Sequence, residues 1–288
     1  MNDMTVCNVC EKPGTLTEAF ESAKVFSNVR AFGREAFTIW RCINCRSLHS
    51  KEAVDLQRYY ENYPMRNQRL DFLLNLAFRR RLSLLKRHGL KTNHRVLDYG
   101  CSTGLFVSFM RAKGYATIGY DAFVDEYADQ KVLESEFDVI VSQDVIEHVE
   151  TPGELIYDCA RYLKPGGMLL FGTPNANEIS LSDAAEYSME LHQPYHRHIL
   201  SEAALVGLCQ NAGLKLETVS YRFFLDTPFP MGNTRFIKSY LKANGGYLDS
   251  AFEQPQIGLV LRSSKLLVLG ILGYFLRSKG HIVCIFRK

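Results

Sequence analysis

The segment Arg95-Val96-Leu97-Asp98-Tyr99-Gly100-Cys101-Ser102-Thr103-Gly104 limits what this chain can fold into more than any other. It reads as a buried strand entering a glycine turn, and Leu105 to Lys113 follows as a helix stopped at Gly114. In an open α/β sheet such a turn leaves backbone amides exposed at a strand's C-terminal end, where ligands bind. The pattern recurs. Tyr115 to Asp121 and Phe137 to Ser142 read as further buried strands. Thr151-Pro152-Gly153-Glu154 reads as a capping box with proline at the first helical position. That helix breaks at Lys164-Pro165-Gly166-Gly167, before a strand from Met168 to Phe171. Upstream, Leu70, Leu73, Leu74, Ala77, Leu82 and Leu85 recur at helical spacing between Arg69 and His88, with Gly89 as the stop. Downstream come a helix from Ser201 to Gly213 and strands from Leu214 to Phe224 and from His281 to Phe286. Strands alternating with helices predict an α/β sandwich around a mostly parallel sheet.

The 288 residues suit one large domain, or a core of about 200 residues with a small appendage. The division expected is a ribbon over residues 1–50, a main domain over 51–288, and an insertion at 226–279 between the last two strands. The insertion holds an apolar stretch, Ile257 to Leu276, that suits one helix serving as a lid or a homodimer contact. A formal charge of +3 does not by itself argue for nucleic acid. No basic leader precedes an apolar stretch at the N-terminus, and Leu266 to Leu276 falls far short of the ~20 residues that span a bilayer. A cytoplasmic protein without a membrane span is expected.

Four of the eight cysteines form two pairs, Cys7 with Cys10 and Cys42 with Cys45, separated by 31 residues. Paired C-x-x-C units in a reducing compartment read as metal knuckles before they read as disulfides. Four thiolates make a closed structural zinc site with no open position for catalysis.

Twenty-one residues past Gly100, Asp121 closes the second strand, where a carboxylate can accept both hydroxyls of a ribose. Turn and acid together indicate a nucleoside-containing cofactor. The spacing Gly100-Cys101-Ser102-Thr103-Gly104 departs from the dinucleotide pattern G-x-G-x-x-G. It resembles instead the first motif of class I S-adenosylmethionine-dependent methyltransferases. Phe137-Asp138-Val139-Ile140 leading to Asp144-Val145-Ile146-Glu147-His148, and Leu163-Lys164-Pro165-Gly166-Gly167, resemble that family's fourth strand and the turn before its fifth. With the N-terminal knuckles, the chain looks like the branch that carries a zinc segment before the core, as in deoxysugar C-methyltransferases. The long C-terminal domain of those enzymes is missing, which leaves the acceptor open.

The resemblance implies a Rossmann-like methyltransferase sandwich with its last strand antiparallel. It implies that Asp98, Gly100, Cys101, Ser102 and Gly104 shape the cofactor turn, that Asp121 and Ala122 meet the ribose, and that Gln143 and Asp144 line the methyl-donor pocket. The family's middle glycine is Ser102 here. Only 15 residues separate Asp121 from Phe137, so the second helix and third strand must be abbreviated. A linker tyrosine often closes over the cofactor in this family, which makes Tyr60, beside Tyr59 and Tyr63, the candidate. S-adenosylhomocysteine would be the product.

His192, His196 and His198 lie within seven residues after the fifth strand. The family offset to Ser201 singles out His196 as the general base, with His148 as the second candidate. An imidazole titrating near neutrality suits proton removal from an accepting atom. The triplet also invites a metal reading. The expected activity is methylation, at carbon or oxygen, of a small polar metabolite such as a sugar or natural-product intermediate. Two alternatives stand beside it: an RNA methyltransferase using the ribbon and Arg79-Arg80-Arg81, and a non-catalytic cofactor-binding module.

Overall fold

A computed structural model describes residues 2–276 and 280–288. The chain opens with three antiparallel strands, β1 (Glu21–Phe26), β2 (Ala36–Arg41) and β3 (Leu48–Ser50). A short helix α1 (Leu56–Tyr60) leads to α2 (Phe72–Arg87), whose N-cap Asp71 accepts the Leu74 amide at 2.8 Å. The sandwich follows as β4 (Arg95–Tyr99), α3 (Leu105–Ala112), β5 (Ala116–Tyr120), β6 (Phe137–Gln143), α4 (Pro152–Tyr162) and β7 (Leu163–Pro174). Then come α5 (Ser188–Leu191), β8 (His198–Ile199), α6 (Glu202–Asn211) and β9 (Lys215–Ser220). Helices α7 (Thr234–Ala243), α8 (Ile257–Leu261) and α9 (Ser264–Leu272) precede the last strand, β10 (His281–Arg287).

The large sheet runs β5-β4-β6-β7-β10-β9. Strands β5, β4, β6 and β7 are parallel, and β10 pairs antiparallel with both β7 and β9. Successive side chains serve different cores. Leu97, Ile140, Leu169, Ile282 and Cys284 pack on one face with α4 and α6; Val96, Val139, Leu170, Val283 and Ile285 pack on the other with α2 and α3. Burial on both faces is why these strands read as unbroken apolar runs. Between β5 and β6 the described chain makes two 3-10 turns, Asp125–Tyr127 and Gln130–Glu134, and β5 is left as the sheet edge, in line with the short spacing from Asp121 to Phe137.

The first fifty residues share a sheet with the later chain. Strand β8, from the segment after β7, pairs with β3 and completes a four-stranded sheet in the order β1-β2-β3-β8. The buried Arg41 guanidinium donates to the carbonyls of Ala176 at 2.9 Å and Ile179 at 2.6 Å, pinning that sheet to the chain after β7.

Two local expectations need correction. Ile257 to Leu276 is not one helix: it breaks at Arg262, and Ser263 starts α9 by accepting the Leu266 amide. Thr151 makes no side-chain cap to an amide; its hydroxyl donates to the Glu154 carboxylate at 2.6 Å instead. The last three positions of the 226–279 insertion lie outside the described residues. No described helix is long and apolar enough to cross a membrane.

Candidate active site

A cavity of about 660 Å³ opens at the C-terminal ends of β4, β5 and β6. Asp98, Gly100, Cys101, Ser102, Asp121, Ala122, Gln143, Asp144, Tyr60 and His148 all line it. Gly100 adopts φ +81°, and a Cβ there would lie 2.2 Å from Val145 Cγ2, so both conformation and space require glycine. Ser102 also takes a left-handed conformation, φ 49°, and its amide donates to Asp121 Oδ2 at 2.8 Å. The other Asp121 oxygen accepts the Phe123 amide at 2.9 Å. These two bonds fix the carboxylate on the cavity lining. Gly104 is the N-cap of α3 and packs against Tyr127; it stands outside the cavity lining.

Sequence reasoning missed Arg81. In the sequence the Arg79-Arg80-Arg81 stretch carries only the RNA alternative. Arg81 is instead 7% exposed, lines the cavity, and lies over the rings of Phe224 at 4.3 Å and Phe106 at 4.8 Å. Its Nε and Nη2 donors are buried without a partner. A signal was present: Leu74, Ala77, Phe78, Arg81 and Leu85 are the buried positions of α2, so Arg81 occupies a core position of the apolar stripe. Asp98 and Asp144 are the carboxylates that feel this cation. Burial raises Asp98 to about 7 and Asp144 to about 6, and Arg81 opposes both shifts. Of the other two arginines, Arg80 donates to the Tyr274 hydroxyl at 2.9 Å and Arg79 to Asn75 at 2.9 Å. Arg81 and Arg80 are thus engaged within the protein, while Arg79 stays exposed on α2.

The histidines lie deeper. His148 lines the cavity and its Nδ1 sits 3.0 Å from the Tyr60 hydroxyl, while Tyr60 stacks on Phe123 at 4.6 Å. His196 packs edge-on against His148, ring centroids 4.8 Å apart, and its Nδ1 meets the Glu190 carbonyl. His196 is not among the cavity-lining residues. Burial pushes His148 and His192 well below the ordinary imidazole value, and His196 down to about 3. The neutral-pH titration expected of a free imidazole is therefore displaced to acid. His198 lies in β8, its Nδ1 3.3 Å from that of His49, so the three loop histidines do not gather. Glu147, His148 and His196 instead bring their polar atoms within 4.8 Å of one another. Glu147 is fully buried; one oxygen accepts from Thr173 at 3.1 Å and the other has no partner.

The four paired cysteines converge as free thiols. Their sulfurs are separated by 3.6 Å (Cys7 to Cys45), 3.7 Å (Cys10 to Cys7) and 4.0 Å (Cys10 to Cys42). A tetrahedral ion with Zn–S bonds of about 2.3 Å sets sulfurs about 3.8 Å apart. Gly14 packs so closely over the group that a Cβ would lie 2.7 Å from Cys42 Sγ.

A parallel sheet closed by one antiparallel strand, with a glycine turn and an acid lining a cavity at its C-terminal edge, is the frame of a class I S-adenosylmethionine-dependent methyltransferase. The chain belongs to the methyltransferase domain family, whose model matches residues 66–219. The ubiquinone biosynthesis O-methyltransferase of Neisseria meningitidis serogroup C is 31% identical over 165 residues, covering 46% of this chain and 69% of that protein. The protein of the same description from Nitrosococcus oceani is 27% identical over 171 residues, covering 49% and 71%. Among solved structures, phosphoethanolamine N-methyltransferase 2 of Haemonchus contortus, in complex with S-adenosyl-L-methionine, is similar at a TM-score of 0.47 and 19% identity, covering 87% of this chain and 63% of that one.

Proposed function

We propose that the protein methylates an oxygen of a small, polar, hydroxylated acceptor, with His148 as the proton acceptor and His196 as the group that positions it. The observation that carries this reading is the His148 ring on the cavity wall, held between the Tyr60 hydroxyl at 3.0 Å and the edge of His196. In the tautomer whose Nδ1 donates to the Tyr60 oxygen, Nε2 would be the accepting nitrogen, and burial keeps that imidazole neutral at neutral pH. The description of the relatives as O-methyltransferases supports oxygen over carbon as the accepting atom.

Bound in the cavity, S-adenosylmethionine supplies an electrophilic methyl group. The chain's own residues hold and orient it. Asp121 and Ala122 take the ribose, and the turn from Asp98 to Gly104 takes the methionine part. Arg81 offers two unpartnered donors to the methionine carboxylate, the one anionic group such a cofactor carries. Gln143 and Asp144 line the donor side, and Tyr60 presents a π-face to the sulfonium. The reaction is an in-line displacement, so alignment and exclusion of water supply most of the acceleration.

On the same reading Cys7, Cys10, Cys42 and Cys45 hold one structural zinc in a ribbon over residues 1–50, and residues 51–288 form the catalytic domain with its insertion at 226–279. Incubation with isotope-labelled S-adenosylmethionine and a panel of phenolic, catecholic and sugar hydroxyl acceptors, with RNA in parallel, tests the acceptor assignment. A labelled O-methyl product is expected. Label found only on carbon, or only on RNA, would overturn it.

A further inference from the structure

Two features of the insertion have no part in the cavity just described. The first is an apolar face. Leu267, Val268, Ile271, Leu272 and Phe275 lie at helical spacing along α9 and the turn after it, and each is exposed; Ile271 is 65% and Phe275 74% accessible. The opposite side of α9, at Leu266 and Gly270, is buried on the protein. Helix α8 adds Ile257 and Leu261, both 66% accessible, and the neighbouring loop adds Met231, whose amide donates to the Gly270 carbonyl at 2.7 Å. So much exposed apolar surface in so short a stretch is unlike the scattered apolar residues of an ordinary surface.

The second feature is a cationic cavity of about 610 Å³ beside that face. Arg235, Lys238 and Lys242, at i, i+3 and i+7 of α7, line it with Lys265 of α9, and Glu186 is its one acidic lining residue. Lys238 meets the buried Glu190, and Lys242 meets Glu186. Lys265 sits at the first turn of α9, where the helix end is itself positive. Val268 belongs to both the cavity and the apolar stripe, so the two surfaces are continuous. From Gln254 to Lys288 the sequence contains no aspartate or glutamate.

An anion-seeking hollow joined to an exposed apolar face matches the two halves of one kind of molecule. We propose that the insertion docks on an anionic phospholipid surface: the α8–α9 face enters the acyl boundary while lipid phosphates seat between Lys242 and Lys265. Neither α8 nor α9 is long enough to span a bilayer, so the mode is interfacial, as for amphipathic helices that lie on a membrane. A second copy of the chain would bury the same apolar residues, but it would bring cations against cations, whereas anionic lipid neutralises them.

The test is co-sedimentation of the full chain with vesicles of phosphatidylglycerol and phosphatidylcholine in equal parts, against vesicles of phosphatidylcholine alone. Binding to the mixed vesicles, released by high salt, is the expected result. The double variant Ile271→Glu/Phe275→Glu should lose it. Lys242→Glu/Lys265→Glu should weaken it by at least roughly tenfold. Each variant should keep its affinity for S-adenosylhomocysteine, which separates loss of docking from loss of fold. Undiminished binding by the apolar variant, or equal binding to the zwitterionic vesicles, overturns the proposal. So does a dimer in light scattering that Ile271→Glu/Phe275→Glu dissolves, since the face would then be covered by a second copy. Binding of inorganic phosphate without any binding of vesicles would likewise assign the cationic cavity to a soluble anion.

Discussion

The Ser201 hydroxyl donates to the carbonyl of Cys45 at 2.6 Å, so the fourth cysteine and the cap of α6 are one hydrogen bond apart. The same serine accepts the Ala204 amide at 3.1 Å and so starts the helix. Between Glu190 and Ser201 the chain carries all three loop histidines, and the N-terminal sheet grips it repeatedly. Ser50 donates to Gln193 at 2.9 Å, Arg197 donates to the Glu52 carbonyl at 2.8 Å, and β3 pairs with β8. The cysteine cluster therefore buttresses the segment that carries His196 against His148, although no cysteine of that cluster lines the cavity.

Metal removal should accordingly act on turnover as well as on stability. A strong chelator, or Cys42→Ser, should release one equivalent of zinc per chain and lower the melting temperature. Turnover should fall further than S-adenosylhomocysteine affinity, because the turn proposed to hold the cofactor lies between β4 and α3 rather than in the ribbon. Metal analysis beside calorimetry checks this; a zinc-free preparation with normal melting and normal turnover would sink it.

Arg81→Met keeps the aliphatic bulk between Phe106 and Phe224 but removes the two unpartnered donors. A lost charge-assisted hydrogen bond costs about 1.5–3 kcal/mol, so affinity for S-adenosylhomocysteine should drop roughly tenfold or more. Decarboxylated or esterified cofactor analogues should lose little from the same substitution. Calorimetry with the natural product and one such analogue reads the difference, and equal losses for both would place Arg81 away from the carboxylate.

Gly100→Ala should abolish cofactor binding by two separable routes. The left-handed φ of +81° costs a side chain about 1–2 kcal/mol, and the new Cβ would meet Val145 at 2.2 Å. Val145→Ala should relieve only the clash, so the double variant should recover binding in part. Full recovery would assign the whole effect to crowding, and no recovery would assign it to the backbone.

How much of this was legible in the sequence depends on range. The strand, turn and acid at Val96, Gly100 and Asp121 act within one βαβ unit, where hydrophobic pattern and glycine position suffice. The cysteine pairs were legible because ligand spacing is itself a local code. The pairing of β3 with β8 was not, since β8 is two residues long and carries no periodicity of its own. Arg81 was hidden by its neighbours: three arginines in a row read as a charge run, and only the helical phase separates the buried one. Ile257 to Leu276 was misread as one helix because apolar composition continues across Arg262-Ser263-Ser264, while Ser263 sets a new N-cap there.

The histidine pair gives the prediction with the most to lose. His148→Asn should lower turnover by ~10²–10⁴ with little change in cofactor affinity, because a buried amide cannot take the proton. His196→Asn should cost less if His196 only positions its neighbour, since His196 is absent from the cavity wall. It should also alter the pH profile of the residual activity by removing the edge contact at 4.8 Å. The profile carries a sign. Burial holds both imidazoles below the ordinary 6.5, so the base stays unprotonated as pH falls through 6.5, and turnover should remain level there and decline only at lower pH. An exposed imidazole would halve the rate near 6.5. A wild-type inflection at that value would show that the base lies in solvent and is neither His148 nor His196. Equal losses from both substitutions, with a metal other than zinc leaving the chain, would instead make Glu147, His148 and His196 ligands to an ion.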